Sequence, residues 1–174
     1  MGKGVFTLDT ILRMVHDLKK DGKVIGFTHG VFDLFHIGHL DFLQQSARKC
    51  DFLIVGIDSD DKVAKYKGDG RPIIPEDERA KVVAALECVG AVFIKDILKG
   101  SRAHISLYRK LSPNFVFIGA GFHFEENVRK EGAKAKVTLI KIGHKGRLGA
   151  TTTTTTINRI IERYAKETTK GRII

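Results

Sequence analysis

Two histidines carry the first chemical signal in the chain: the run Thr28-His29-Gly30-Val31-Phe32-Asp33-Leu34-Phe35-His36-Ile37-Gly38-His39 sets His36 and His39 on either side of a glycine. At a helix start this spacing puts both imidazoles on one face, while Gly30 and Gly38 let a bulky ligand approach the backbone. Helix N-terminal amides attract anions, and imidazole N–H groups can donate to oxygens that gain charge in a transition state. The chemistry indicated is phosphate binding and transfer. The competing reading is structural, with His36 capping a turn and His39 satisfied inside a core.

Two further segments suit phosphate. Lys62-Val63-Ala64-Lys65-Tyr66-Lys67-Gly68-Asp69-Gly70-Arg71-Pro72 reads as a basic, glycine-punctuated loop. It leads into a helix with Pro75 in the first turn and Glu76, Asp77 and Glu78 at the positive end. Near the other terminus, Arg147-Leu148-Gly149-Ala150 precedes six threonines, Thr151 to Thr156. β-Branched threonine is a poor helix former, so the tract predicts a loop and a helix N-terminus whose hydroxyls can meet phosphate.

The elements that must hold these segments follow from periodicity. Leu8, Ile11, Leu12, Val15 and Leu18 recur at helical spacing, with Thr7 as N-cap and Gly22 as stop. Short, nearly continuous apolar runs at Lys23–Thr28, Phe52–Asp58, Ala91–Ile94, Phe115–Ile118 and Lys136–Ile142 predict five buried parallel strands. Between them, helices are predicted at Ile37–Lys49, Pro75–Val89, Ser101–Leu111 and Glu125–Lys130, with a last one through Ile157, Ile160, Ile161 and Tyr164. The alternation gives a single Rossmann-like α/β domain: a five-stranded parallel sheet with helices on both faces and an extra N-terminal helix. Its parts are expected to be the helix at 1–22, the α/β core at 23–146, and the Thr-rich turn with the C-terminal helix at 147–174. Such sheets bind ligands at the carboxyl ends of their strands, where the first histidine motif falls.

Composition narrows the class. With 174 residues, 43% hydrophobic and 29% charged, the chain is an ordinary globular protein of one domain. No apolar run approaches a membrane span and no signal-type segment follows Met1, so a cytoplasmic address is expected. Cys50 and Cys88 lie far apart without a CxxC neighbour, which argues against a disulfide framework or a metal site and for two buried thiols. A formal charge of +10 suits polyanionic partners. The basic residues are scattered and not interleaved with aromatics, which favours small phosphates over nucleic acid.

The histidine run resembles the H-x-G-H signature of the cytidylyltransferase-like nucleotidyltransferase superfamily, including the preceding G-x-F-D and the position after the first strand. The resemblance implies that Gly30, Val31 and Phe32 line the nucleotide pocket and that His36 and His39 hold the triphosphate. The basic segment resembles the K-G-x-x-R-P…P-x-x-x-R block of the same superfamily, which implies phosphate contacts from Lys65 or Lys67 and from Arg79. The threonine tract resembles its G-x-S-T-[ST] element and places Arg147, Thr152, Thr153 and Thr154, with Gly119 after the fourth strand, at the nucleotide. Asp33, Arg71 and Gly121 are the implied acceptor contacts. The opening helix, Asp58-Ser59-Asp60 and Gly70-Arg71-Pro72 look most like the heptose-1-phosphate adenylyltransferase domain of ADP-heptose synthesis. Phe32-Asp33-Leu34-Phe35-His36 and Lys65-Tyr66-Lys67-Gly68 look equally like glycerol-3-phosphate cytidylyltransferases.

What this implies is transfer of a nucleoside monophosphate from an NTP to the phosphate of a small metabolite. ATP is the favoured donor and CTP the alternative, Mg²⁺ accompanies the NTP with no protein metal site, and a homodimer is expected. The reading from another class is a non-catalytic nucleotide- or nucleic-acid-binding protein. One departure bears on the acceptor: where the family carries an acidic G-[GD]-D-[YW] turn, this chain has Gly119-Ala120-Gly121-Phe122. A second is Val89-Gly90 in place of V-D, which is expected to alter a turn.

Overall fold

The computed structural model describes residues 3–95, 103–119, 125–143 and 151–168. Within them the chain runs α1 (Leu8–Lys20), β1 (Ile25–Gly30), α2 (Ile37–Ala47), β2 (Phe52–Asp58), α3 (Asp60–Lys67), α4 (Glu76–Ala84), β3 (Ala91–Lys95), α5 (Ala103–Leu111), β4 (Phe115–Gly119), α6 (Glu125–Ala135), β5 (Thr138–Ile142) and α7 (Thr153–Thr168). The strands form one sheet in the order β3-β2-β1-β4-β5, and every pairing is parallel. The order reverses at β1, so β1 and β4 open a crevice at their carboxyl ends.

Strand parity divides the interior into two layers. Ile25 and Phe27 of β1, Ile54 of β2 and Phe93 of β3 pack with Ile11 and Val15 of α1, Tyr108 of α5 and Val128 of α6. Leu53, Val55 and Ile57 of β2 and Phe117 of β4 pack with Phe42 and Leu43 of α2 and Ala80 and Val83 of α4. Helices therefore cover both faces, as the alternation predicts. The extra helix α1 is real: Thr7 caps it by accepting from the Thr10 N–H at 3.3 Å, and Lys19 and Lys20 suit its negative end.

Several boundaries differ from those expected, each for a local reason. Lys62–Lys67, read as loop, is the greater part of α3: Asp60 and Asp61 begin it, Lys65 and Lys67 end it, and Val63 is its only buried residue. The charge placement matches the helix dipole, but one apolar anchor in eight residues leaves no periodic signal. α4 stops at Ala84, short of Val89, because the N–H groups of Leu86 and Val89 turn to carbonyls three residues back. β1 reaches Gly30, which brings His29 into the strand, and α6 extends to Ala135. The two thiols are half-buried, not fully so; burial pushes the Cys50 thiol up to about 11.

Candidate active site

The turn from β1 into α2 is backbone under strain. Phe32 and Leu34, neither a glycine, sit at φ 53° and 44°, a left-handed region that L-residues occupy at a cost. Phe32 folds back over Gly30, where a Cβ would lie 3.2 Å from its ring, so a larger residue would need the ring to give by a few tenths of an ångström. His36 then caps α2, its Nδ1 accepting from the Gly38 N–H at 3.2 Å. The structural role weighed for His36 is thus real, and it has a chemical consequence. With Nδ1 committed as an acceptor, the neutral ring carries its proton on Nε2 as a donor. The His39 ring stacks on His36 at 3.8 Å between centroids, and Phe32 meets it edge-on at 5.3 Å. Both histidines are half-buried.

Asp33 ties this turn to the basic segment. Only 1% exposed, its carboxylate accepts from the Ile73 and Ile74 N–H groups at 3.1 and 3.0 Å and from Arg71 Nε at 3.0 Å. Burial alone would raise its pKa, but the two amides and Arg71 outweigh it and hold the carboxyl below its ordinary range. Arg71 keeps a second nitrogen, Nη2, buried without a hydrogen-bond partner among the described residues. Lys67 lies in the same field: burial first and the Arg71 charge second lower its pKa, while Asp33 and Asp58 oppose them. Lys65 and Lys67 are both solvent-exposed residues of the last turn of α3. The segment thus gathers two cations, Lys67 and Arg71, around one carboxylate already bound.

Arg79 is not turned toward open space. At 2% exposure it donates from Nε to the Ile74 carbonyl at 2.8 Å, from Nη1 to the Val31 carbonyl, and from Nη2 to the Asp58 carbonyl at 3.0 Å and Asp60 Oδ1 at 2.5 Å. In this arrangement it organises three loops and leaves anion contact to others. The threonines divide similarly. Thr152 accepts from the Thr155 N–H at 3.0 Å and begins α7, Thr153 donates to the Asp33 carbonyl at 2.9 Å, and Thr154 is exposed. The positive end of α7 is thereby held against the histidine turn. Gly119 ends β4, while Gly121 and Arg147 lie outside the described residues.

A family model described as Cytidylyltransferase-like matches residues 27–161. The chain belongs to the cytidylyltransferase-like family. The bifunctional protein HldE of Syntrophotalea carbinolica is 35% identical over 149 residues, covering 84% of this chain and 29% of that protein. HldE of Geobacter sulfurreducens is 30% identical over 166 residues, covering 94% and 32% respectively. The chain spans about a third of the length of these curated relatives. Among solved structures it is similar to pantoate-beta-alanine ligase from Francisella tularensis, crystallised with beta-gamma ATP and beta-alanine: TM-score 0.64, 14% identity, covering 92% of this chain and 78% of that one. It is also similar to a lipopolysaccharide core biosynthesis protein from Thermoplasma volcanium: TM-score 0.57, 23% identity, 71% and 98% covered. At such identities these two likenesses carry the fold alone.

Behind the histidine turn, this cytidylyltransferase-like chain holds a polar cluster that motif reading missed. Lys95 Nζ lies 2.6 Å from Asp58 Oδ1 and 3.0 Å from His29 Nδ1, and His29 Nε2 is 3.2 Å from the Tyr108 hydroxyl. A signal was available. β2 and β3 are apolar strands that end on Asp58 and Lys95, β1 carries His29 one residue before its end, and parity sends all three to one face.

Proposed function

We propose that this chain is a nucleotidyltransferase domain, moving a nucleoside monophosphate from an NTP to the phosphate of a small metabolite and releasing pyrophosphate. The observation that carries the reading is the stacked His36–His39 pair at the N-terminus of α2, at the carboxyl edge of a parallel sheet within a cytidylyltransferase-like match. ATP with a heptose-type sugar 1-phosphate is the favoured pair. The HldE relatives, 30–35% identical, and the resemblance to the heptose-1-phosphate adenylyltransferase domain support it. A cytoplasmic, homodimeric protein goes with this reading. Among the described residues no helix is long and apolar enough to cross a membrane, and α7 leaves Ile160, Ile161 and Tyr164 exposed.

The chemistry asks little of a base. A phosphate monoester with a second pKa near 6 is largely ionised at neutral pH. Its oxygen forms the new bond to the α-phosphorus while the bond to the bridging α–β oxygen breaks and pyrophosphate leaves with that electron pair. Catalysis then consists of alignment and charge neutralisation. In this reading His36 donates from Nε2, His39 stacks beside it, and Arg71 and Lys67 supply positive charge to the phosphate oxygens. Arg79 holds the Val31 carbonyl and so the shape of the turn. The donor arrives as its Mg²⁺ complex, a hard cation that rides on substrate phosphates and takes few protein ligands.

A matrix of ATP and CTP against heptose 1-phosphate and glycerol 3-phosphate, read by pyrophosphate release, tests the reading. Release is expected with ATP and heptose 1-phosphate. Preference for CTP with glycerol 3-phosphate would overturn the substrate assignment, and no release with any pair would overturn the reaction.

A further inference from the structure

The Lys95 cluster lies at the carboxyl ends of β1, β2 and β3, and its chemistry is unusual for an interior. Lys95 is 1% exposed, Asp58 5% and His29 8%, and Asp58 and Lys95 are register partners across β2 and β3. An ammonium group only donates, so Lys95 gives hydrogen bonds to Asp58 Oδ1 and His29 Nδ1. His29 Nδ1 must then hold a lone pair, and its Nε2–H faces Tyr108. Asp58 is the hub. Its Oδ1 also receives Lys62 at 2.9 Å, its Oδ2 receives the Tyr66 hydroxyl at 3.4 Å, and its backbone carbonyl receives Arg79.

Desolvation offsets most of the attraction within a buried ion pair, and apolar residues of the same volume often stabilise as well or better. What such a pair supplies is one fixed arrangement. Here two elements depend on it: α3, gripped at Lys62 and Tyr66 and ending in Lys65 and Lys67, and the strand end at His29, which runs directly into Gly30, Val31 and Phe32. We propose that Lys95, Asp58 and His29 form a buried positioning unit that sets α3 and the β1–α2 turn around the nucleotide.

Burial pushes the Lys95 ammonium far below the ordinary lysine range, toward neutrality, although Asp58 opposes the shift. Burial raises the Asp58 carboxyl, but Lys95 and then Lys62 outweigh it and hold it below its ordinary range. The other ionisable groups facing the unit are His29 on β1, Lys62 and Tyr66 on α3, Tyr108 on α5 and, through Tyr108, Glu131 on α6; α1 buries Ile11, Met14 and Val15 in this layer. Because the closed arrangement lowers the Lys95 value, raising pH does not loosen the unit: loss of the Lys95 proton relieves the desolvation cost of a buried ammonium.

Only the kinetic arm of the test rests on the nucleotidyl-transfer reading. In substrate-free protein, amide hydrogen exchange across α3 is expected to quicken by about tenfold in Lys95→Met and Asp58→Asn while α2 keeps its protection. In turnover, Lys95→Met is expected to raise KM for the NTP by about tenfold and to leave kcat within about twofold, the mark of lost ground-state positioning. Lys95→Arg, which keeps a cationic donor toward Asp58, should restore most of the low KM. If Lys95→Met loses α2 protection as well, Lys62→Met, which breaks only the outer contact, carries the same expectation at smaller size. Unchanged α3 exchange would overturn the proposal, as would an unchanged KM in a folded, active Lys95→Met protein. Absence of turnover in the wild type would sink the functional reading instead, and α3 exchange would still decide the positioning.

Discussion

Two polar regions of this chain adjoin at Gly30: the β1–α2 turn with Asp33, His36 and His39, joined by Arg71, and the cluster of His29, Asp58 and Lys95, joined by Arg79. Past the glycine, His36 and His39 are half-buried, and across the turn Arg71 holds a buried nitrogen without a hydrogen-bond partner among the described residues. Before it, His29, Asp58 and Lys95 spend their donors and acceptors on one another, and Arg79 spends all three guanidinium nitrogens on loop oxygens. Buried polar groups are tolerated inside a protein only when satisfied; the second region is closed on itself, and the proposed function assigns the first to a ligand. Residue type does not separate them: each has histidine and a long cation.

The comparison breaks or sharpens through substitutions that should act on one property and not the other. The largest effect is expected from the histidines: His36→Ala or His39→Ala should lower kcat by about 10²–10³, the scale of one lost donor to a charge-developing oxygen. The thermal midpoint should move little for His39→Ala. Normal turnover in that folded protein would make His39 a core residue and merge the two regions. Arg79→Met comes next and should act the other way, costing about 3 kcal/mol in denaturant unfolding, since buried carbonyls and Asp60 lose their partner. A fully stable Arg79→Met protein with lost NTP binding would move Arg79 to the ligand side.

Asp33→Asn is expected to cost about 1–2 kcal/mol at neutral pH, as two amides and Arg71 face a neutral acceptor. The sign of its pH dependence is fixed by the folded carboxyl being depressed. Its stabilisation is complete above the unfolded carboxyl value and is lost as pH falls through the folded one. Acid unfolding of Asp33→Asn should therefore be shallower than that of the wild type, and parallel curves would remove the clamp. The smallest effect is assigned to α3: Lys67→Ala should raise KM for the NTP by about tenfold, equivalent to ~1.4 kcal/mol, with stability unchanged. Lys65→Ala should change it less, because the Lys67 ammonium lies in the field of Arg71. Equal effects from both lysines would return the choice to the sequence.

The open region was legible because its residues are close in sequence. His36 and His39 share one turn of α2, and Thr152 and Thr153 fall at a helix start, where β-branched runs belong. The parallel sheet and helices on both faces followed from apolar runs alternating with helical periods, whereas the strand order came from the structure. The closed region was not legible, because His29, Asp58, Lys95 and Tyr108 lie on four elements and meet only through strand register. For the same reason Arg79 was assigned to phosphate from its motif, although its neighbours Val31 and Asp58 are 48 and 21 residues away. α3 was hidden by a single apolar anchor. Gly121 and Arg147 were named from motifs, and both lie outside the described residues.

The reaction itself is tested most directly by following the label from ATP during incubation with heptose 1-phosphate. Attack at the α-phosphorus places α-³²P in the nucleotide sugar and γ-³²P in pyrophosphate. Transfer of γ-³²P to the sugar, with ADP as the other product, would contradict nucleotidyl transfer and with it the role given to His36 and His39.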